Sequence, residues 1–312
     1  MTMSETPPAL AVPAAEALTE PLPQPPLADW EHFALYEKVK DALSATPAFF
    51  RSDVTIAGVP ATDLQNLNTL LGASIEERVV DALNVMRPVW DPDLKYQEFS
   101  FVRQPQTFPD VLLRHQASGA VLLGIELKGW YLLAKEEEPS FRFTVTHSAC
   151  AAADLLVVFP WHLSEVISGT PRLLQPYVNL AKFVAKYRNF QWARKEEHGE
   201  IVSPAGVNPY PVKSDAISDR AARDGGGNFG RIARTGLLND YMAQVDARLL
   251  SGIPANKWRA FLKAFQQGAD ADKIERAMAK LVQDVARTTH ADAAATDALT
   301  LKLRKIAEIL AE

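Results

Sequence analysis

Three charged side chains stand inside apolar sequence, where charge is costly. Asp110 follows Pro109 in the run 108–113, and sixteen residues further on Glu126 and Lys128 flank Leu127 within the run 120–133. Strong charge in strand-like apolar sequence has to be paired or bound to a metal. A two-residue period puts Glu126 and Lys128 on one face of a strand. Asp110 on a neighbouring strand brings a second carboxylate. Two carboxylates and an ammonium around one point make a hard-cation site with a cationic group aimed at an anionic substrate.

The elements that must position these groups are legible around them. Alternation predicts a strand over 95–103 and a second over 108–115, and Ser118-Gly119 turns the chain into a third over 120–133. An acidic, Pro-containing loop at 136–139 leads to a short extended piece at 141–145, and the Ala-rich stretch 148–153 is expected to belong to a helix. The continuous apolar run 154–159 is the signature of a central buried strand. Upstream, 29–43 predicts an amphipathic helix with Trp30, Phe33, Leu35 and Tyr36 as apolar contacts. Ser74 has the profile of an N-cap for a helix that ends near Met86 and is stopped by Pro88. Downstream, 177–191 predicts a helix, and Pro, Gly and Ser beyond Gly199 predict loops. Residues 237–312 predict three or four helices with breaks near 252–254, Gly268 and His290.

Composition bounds the class. The 312 residues are 47% apolar and 23% charged, ordinary for a soluble globular protein with ample core. No apolar run reaches membrane-spanning length, and the N-terminus lacks the basic start and apolar core of a secretory signal, so no membrane association and a cytoplasmic location are expected. The lone Cys150 excludes an intrachain disulfide and a cysteine-rich zinc site. The net charge of −5 argues against a protein that coats nucleic acid unselectively. Between Ala181 and Arg234, however, basic residues outnumber acids, with Lys182, Lys186, Arg188, Lys195, Arg220, Arg223, Arg231 and Arg234 among them. That stretch is the expected phosphate-facing surface.

Pro109-Asp110 with Glu126-Leu127-Lys128 resembles the signature of the PD-(D/E)XK nuclease superfamily, the fold of most type II restriction endonucleases. The fifteen residues between the two acids are ordinary for that family. The resemblance implies an α/β, restriction-endonuclease-like core, a mixed central sheet flanked by helices, with a mostly helical C-terminal region. It implies Mg²⁺ held by Asp110, Glu126 and the Leu127 carbonyl, with Lys128 orienting the attacking water or stabilising developing charge. Many members carry a glutamate on the helix before the strands. Glu76, at the edge of the apolar stripe Ile75, Val79, Leu83 and Met86, is the candidate fourth catalytic residue, while Glu77 points away. Both glutamates also suit the positive end of a helix dipole without any site role. The implied activity is endonucleolytic hydrolysis of double-stranded DNA, often by a homodimer and beside a cognate DNA methyltransferase.

Other features carry two readings. The loop 225–230 lacks Gly-Lys-Ser/Thr and is no P-loop, but its glycines allow close backbone approach, and Arg231 and Arg234 follow at a potential helix start. They are candidate DNA contacts together with Arg220 and Arg223, against a solvated surface connector. Phe183, Tyr187, Phe190 and Trp192 read as core rather than as base-stacking groups. Trp130 and Trp161 read as packing, and Cys150 beside His147 reads as a buried thiol, with no third group to make a nucleophile. The expected organisation is a disordered tail at 1–28, a nuclease core at 29–203, and a Gly/Arg loop and helical region at 204–312 for DNA contact or dimerisation. Two alternatives remain: a repair or mobile-element nuclease of the same fold, and a non-catalytic DNA- or protein-binding module.

Overall fold

A stripe of apolar side chains four residues apart, Leu67, Leu71, Ile75, Val79 and Leu83, builds the helix that underlies the sheet. The computed structural model describes residues 10–11, 19–57, 61–64, 66–104, 106–136, 138–195, 200–265, 270–289 and 293–311. In chain order, Leu10–Ala11 (β1) precedes Phe33–Phe49 (α1), Ala61–Leu64 (α2), Leu67–Val85 (α3) and Arg87–Trp90 (α4). Helix α3 therefore begins well before Ser74, which sits inside it and is not the N-cap. The stripe continues two turns further toward the N-terminus than the capping pattern suggests, and every residue of it is buried. Burying one such side chain is worth about 1.5–3 kcal/mol, which outweighs the roughly 1 kcal/mol that Gly72 costs within a helix.

The strands Phe99–Arg103 (β2), Val111–His115 (β3), Val121–Tyr131 (β4), Leu155–Leu163 (β5), Pro171–Leu173 (β6) and Tyr177–Leu180 (β7) form one mixed sheet. β2, β3 and β4 are an antiparallel meander, and β5 runs parallel to β4. On its other side β5 pairs with β7 through Leu155–Val158 and with β6 through Trp161–Leu163. The change of partner falls at Pro160, which has no N–H to give a ladder. All of β5 except His162 is buried, as the continuous apolar run requires.

Two expectations fail for the same reason, the need of backbone groups for partners. Residues 177–180 are strand, not helix, because the first half of β5 needs hydrogen-bond partners away from β4; the helix proper is Ala181–Ala193 (α5). Residues 148–153 hold only a short 3₁₀ turn, His147–Ala149. The polar groups there are taken by neighbours: Ala151 N–H donates to the Asp154 carboxylate at 2.7 Å, and the Cys150 thiol to the Thr146 carbonyl at 3.7 Å. The parallel β4–β5 crossover is thus irregular. Residues 141–145 form isolated bridges, Arg142 to Arg231 and Val145 to Ser218, rather than a strand.

Beyond α5 come Ile201–Ser203 (β8) and Arg220–Ala221 (β9), and β8 lies between β1 and β9 in a small second, antiparallel sheet. Asn239–Asp246 (α6), the hairpin Leu249–Leu250 (β10) and Ile253–Pro254 (β11), then Ala255–Leu262 (α7), Ala271–Thr289 (α8) and Ala293–Ala311 (α9) complete the chain. The hairpin accounts for the break expected at 252–254; Gly268 and His290 lie outside the described residues. Of the tail expected at 1–28, the described part comprises β1 and residues 19–28, which hold neither helix nor strand. One buried apolar cluster runs from Leu35 through the sheet to Trp258, Met278 and Leu310, so the C-terminal helices share the core of the sheet. Residues beyond 203 are also stitched to the crossover, with Thr146 N–H on Ile217 O at 2.7 Å and Phe143 N–H on Gly230 O at 2.7 Å. Among the described residues, no helix is long and apolar enough to cross a membrane.

Candidate active site

The β3–β4 register sets Val111 opposite Ile125, which places Asp110 opposite Glu126 on the adjoining strand. Directly opposed residues of an antiparallel pair present their side chains to the same face. The local cause is packing of Pro109 on Gly124. A Cβ on Gly124 would lie 2.3 Å from Pro109 Cγ and 3.0 Å from Asp154 Oδ1, so only glycine lets the Pro-Asp pair approach β4 this closely. Asp110 Oδ2 then accepts the Leu127 N–H at 2.7 Å, and Lys128 Nζ donates to Glu126 Oε1 at 2.6 Å. Glu126 is buried and Lys128 is half-buried. Asp110, Glu126 and Lys128 are therefore brought together as their spacing predicts.

The electrostatics follow from that crowding. Burial, then the neighbouring Glu126, pushes the Asp110 carboxyl up to about 7, against the opposing pull of Lys128 and the Leu127 N–H; Glu76 adds to the push. Burial works against the Lys128 ammonium, but Glu126, Asp110 and Glu76 outweigh it and hold its pKa above the ordinary lysine value. Glu76 on α3 is thus within electrostatic reach of both, while Glu77 is exposed. Glu76 also pairs with Arg103 at 3.0 Å, which fixes its direction.

Among the described residues, no three His, Cys, Asp or Glu side chains gather into a metal site. An ion here would rest on Asp110, Glu126 and the Leu127 carbonyl. That set fits a hard cation: all donors are oxygen, and burial together with the neighbouring Glu126 makes the Asp110 carboxyl harder to ionise than usual, which a bound cation would relieve.

A cleft of about 750 Å³ opens beside the cluster, lined by Glu76, Leu127 and Lys128 together with Glu138, Arg142, Arg231 and Arg234. Arg231 and Arg234 line the same cleft as Lys128, and the turn that begins beside them is 3₁₀, Ile232–Thr235, not an α-helix. The glycine loop before them is braced rather than open. Asp224 accepts the Asn228 and Phe229 N–H groups at 2.7 and 3.0 Å, and Arg231 Nε donates to Gly227 O at 3.1 Å. Arg220 and Arg223 do not line the cleft; Arg220, on β9, borders a separate depression formed by 204–218. Arg188 leaves the phosphate-facing group altogether, because it is buried and paired with Asp219 at 2.5 Å.

Several supporting residues escaped the sequence. Asn68 Oδ1 accepts both the Tyr131 N–H at 3.0 Å and Trp161 Nε1 at 3.2 Å, tying the ends of β4 and β5 to α3. Asp154, fully buried, accepts from Gly124 N at 2.7 Å and from the Tyr210 hydroxyl at 3.2 Å. Its position, opening the β5 run, was the one available signal. Phe183, Phe190, Trp130, Trp161 and Trp192 are buried, as read, and Cys150 is a buried thiol whose pKa burial pushes well up. Comparison with protein-family models, with curated proteins and with solved structures finds no match to this chain.

Proposed function

We propose that this protein is a Mg²⁺-dependent endodeoxyribonuclease of the PD-(D/E)XK kind, acting on double-stranded DNA as a type II restriction endonuclease. One observation carries the reading: Asp110, the residue before β3, lies against β4 at Leu127 N–H, Glu126 pairs with Lys128, and Lys128 opens on a cleft that Arg142, Arg231 and Arg234 also line. The antiparallel meander followed by a parallel crossover strand supports a restriction-endonuclease-like core.

In this reading Asp110, Glu126 and the Leu127 carbonyl hold the ion. When bound, Mg²⁺ would lower the pKa of water and screen the charge of a phosphodiester. Lys128 lies between the acids and the cleft, and its ammonium stabilises negative charge growing on the phosphoryl oxygens. Glu126 and Asp110, with a smaller contribution from Glu76 that Arg103 steers, hold Lys128 in its charged form. Arg231 and Arg234 bind and orient the strand by its phosphates. A homodimer matched to a palindromic site and a companion methyltransferase complete the proposal.

Purified protein incubated with plasmid DNA and Mg²⁺ should give discrete fragments, with none in EDTA or when Ca²⁺ replaces Mg²⁺. Asp110→Ala should abolish cutting and leave the circular dichroism spectrum unchanged. A wild-type protein that leaves plasmid, nicked and branched DNA intact in Mg²⁺ and Mn²⁺ would rule the proposal out.

A further inference from the structure

Behind the arginine wall of the cleft lies a second, smaller hollow of about 150 Å³. Arg188, Gln191, Lys195, Asn228, Arg231 and Arg234 line it, and none of the residues around it is acidic. Arg231 and Arg234 border both the hollow and the cleft, so the two depressions meet along one ridge. A hollow of that size has room for one phosphate group or a cluster of waters.

The charges around it are unevenly satisfied. Arg188 is neutralised by Asp219. Arg234 is shared between Glu138, at 2.9 Å from its Nε, and the side-chain oxygen of Asn228. Arg231 donates through Nε to a backbone carbonyl, and neither it nor Lys195 forms an ion pair among the described residues. In a chain of net charge −5, two cations without an ion pair among the described residues and a third held by a half-exposed carboxylate surround one phosphate-sized space. Guanidinium forks match phosphate oxygens in pairs, and the amides of Gln191 and Asn228 add neutral polar groups. The turn that carries Asn228 and Arg231 is pre-organised by Asp224.

We infer that this hollow is a phosphate-binding pocket that seats a backbone phosphate of the same strand whose scissile bond lies at Asp110, Glu126 and Lys128. The pocket rests on the nuclease reading above and adds to it Lys195, Gln191 and Asn228. Seating one phosphate there sets which phosphodiester reaches the acids. Glu138 occupies Arg234 until the strand displaces it.

The test measures binding of a fluorescently labelled DNA duplex in Ca²⁺, by anisotropy, over a range of NaCl concentrations. Lys195→Ala and Arg231→Ala should each weaken binding about fivefold to tenfold. Together they should flatten the plot of log affinity against log salt by about two. Glu138→Gln should tighten binding. Because Arg231 also braces its loop, Lys195→Glu at an exposed helix end gives the same readout without disturbing the fold. Calorimetric titration with inorganic phosphate should show one site in wild type and none in the double variant. Unchanged affinity and salt slope in the double variant, with wild type binding duplex, would overturn the pocket and leave the nuclease reading standing. Phosphate binding without any effect of the variants on DNA would also overturn it. A wild-type chain that neither binds nor cuts DNA would remove the nuclease reading and the pocket with it.

Discussion

Arg188 with Asp219, and Lys128 with Asp110 and Glu126, are both charge clusters taken largely out of water, and they are finished differently. Arg188 on α5 donates to Asp219, to Asn189 and to the carbonyls of Phe143 and Val145, at 2.6 and 3.1 Å for the last two. One cation meets one anion, and every guanidinium nitrogen has a partner. Burial lowers the pKa of Arg188 to about 10 against the pull of Asp219, which still leaves it charged at neutral pH. At the head of β3 the balance is broken: two acids, with Glu76 in reach, share one ammonium, and Asp110 responds by holding its proton. The first cluster ties the crossover and the loop at Asp219 to α5 with its charges matched one to one, and what it leaves over is a single acceptor, Asp219 Oδ1, buried without a hydrogen-bond partner among the described residues. The second retains capacity for another cation. Equal materials give a tie where one cation meets one anion and room for a further cation where two acids share one ammonium.

Replacing Asp110 or Lys128 by Ala should break the second cluster as chemistry. Cleavage should fall by about 10²–10³-fold or more, as for loss of a group that meets developing charge, with the melting temperature scarcely lowered by Asp110→Ala and lowered by Lys128→Ala, which leaves the buried Glu126 without its cation. Plasmid-cleavage rates alongside thermal melts check both. Replacing Arg188 by Met should do the reverse. Leaving Asp219 buried without its cation should cost about 3–5 kcal/mol, read by urea unfolding, while the folded fraction keeps its cleavage rate. If Arg188→Met abolished cleavage in fully folded protein, the division between the two clusters would be wrong.

A pH series sharpens the contrast. Asp110 releases its proton near 3.8 in the unfolded chain and near 7 in the folded one, so between those values the folded state holds more protons. Stability contributed by this group therefore falls as pH rises through that window. Asp110→Asn in EDTA should match wild type at pH 4 and exceed it at pH 8 by on the order of 2 kcal/mol, because each tenfold in acid strength is worth about 1.4 kcal/mol and relaxation offsets part of it. The smallest effect belongs to Arg103→Ala. Its ion pair with Glu76 is partly exposed, and losing it should cost under about 1 kcal/mol; a larger loss by denaturant titration would mark that pair as part of the buried network.

The sequence exposed the acids and the sheet better than the basic wall. Asp110, Glu126 and Lys128 were visible because each interrupts an apolar run, and the same runs outlined β3, β4 and β5. Their neighbours were not, since Asn68 and Tyr210 act through hydrogen bonds to backbone or to a carboxylate that no spacing announces. Arg188 looked like a surface cation on a basic helix, because periodicity cannot tell that a chain segment thirty residues away supplies Asp219. Tyr177–Leu180 passed for helix because it runs into α5 without a break, and only the unfilled edge of β5 makes it a strand. Arg231 and Arg234 were found by composition; their place on the cleft depends on a bridge between Arg142 and Arg231 that is entirely long-range.

The connection between β3 and β4 is a tight turn, with Arg114 paired to Val121. Both acids and the lysine therefore lie on a single hairpin, which closes on the microsecond scale at low entropic expense. Two of the three arginines on the cleft, Arg231 and Arg234, arrive from more than a hundred residues downstream and must wait for the slow, non-local steps of folding. During synthesis the negative half of the cleft is assembled while the positive half is still unmade, so a nascent chain would hold its acids in register before it could grip a polyanion.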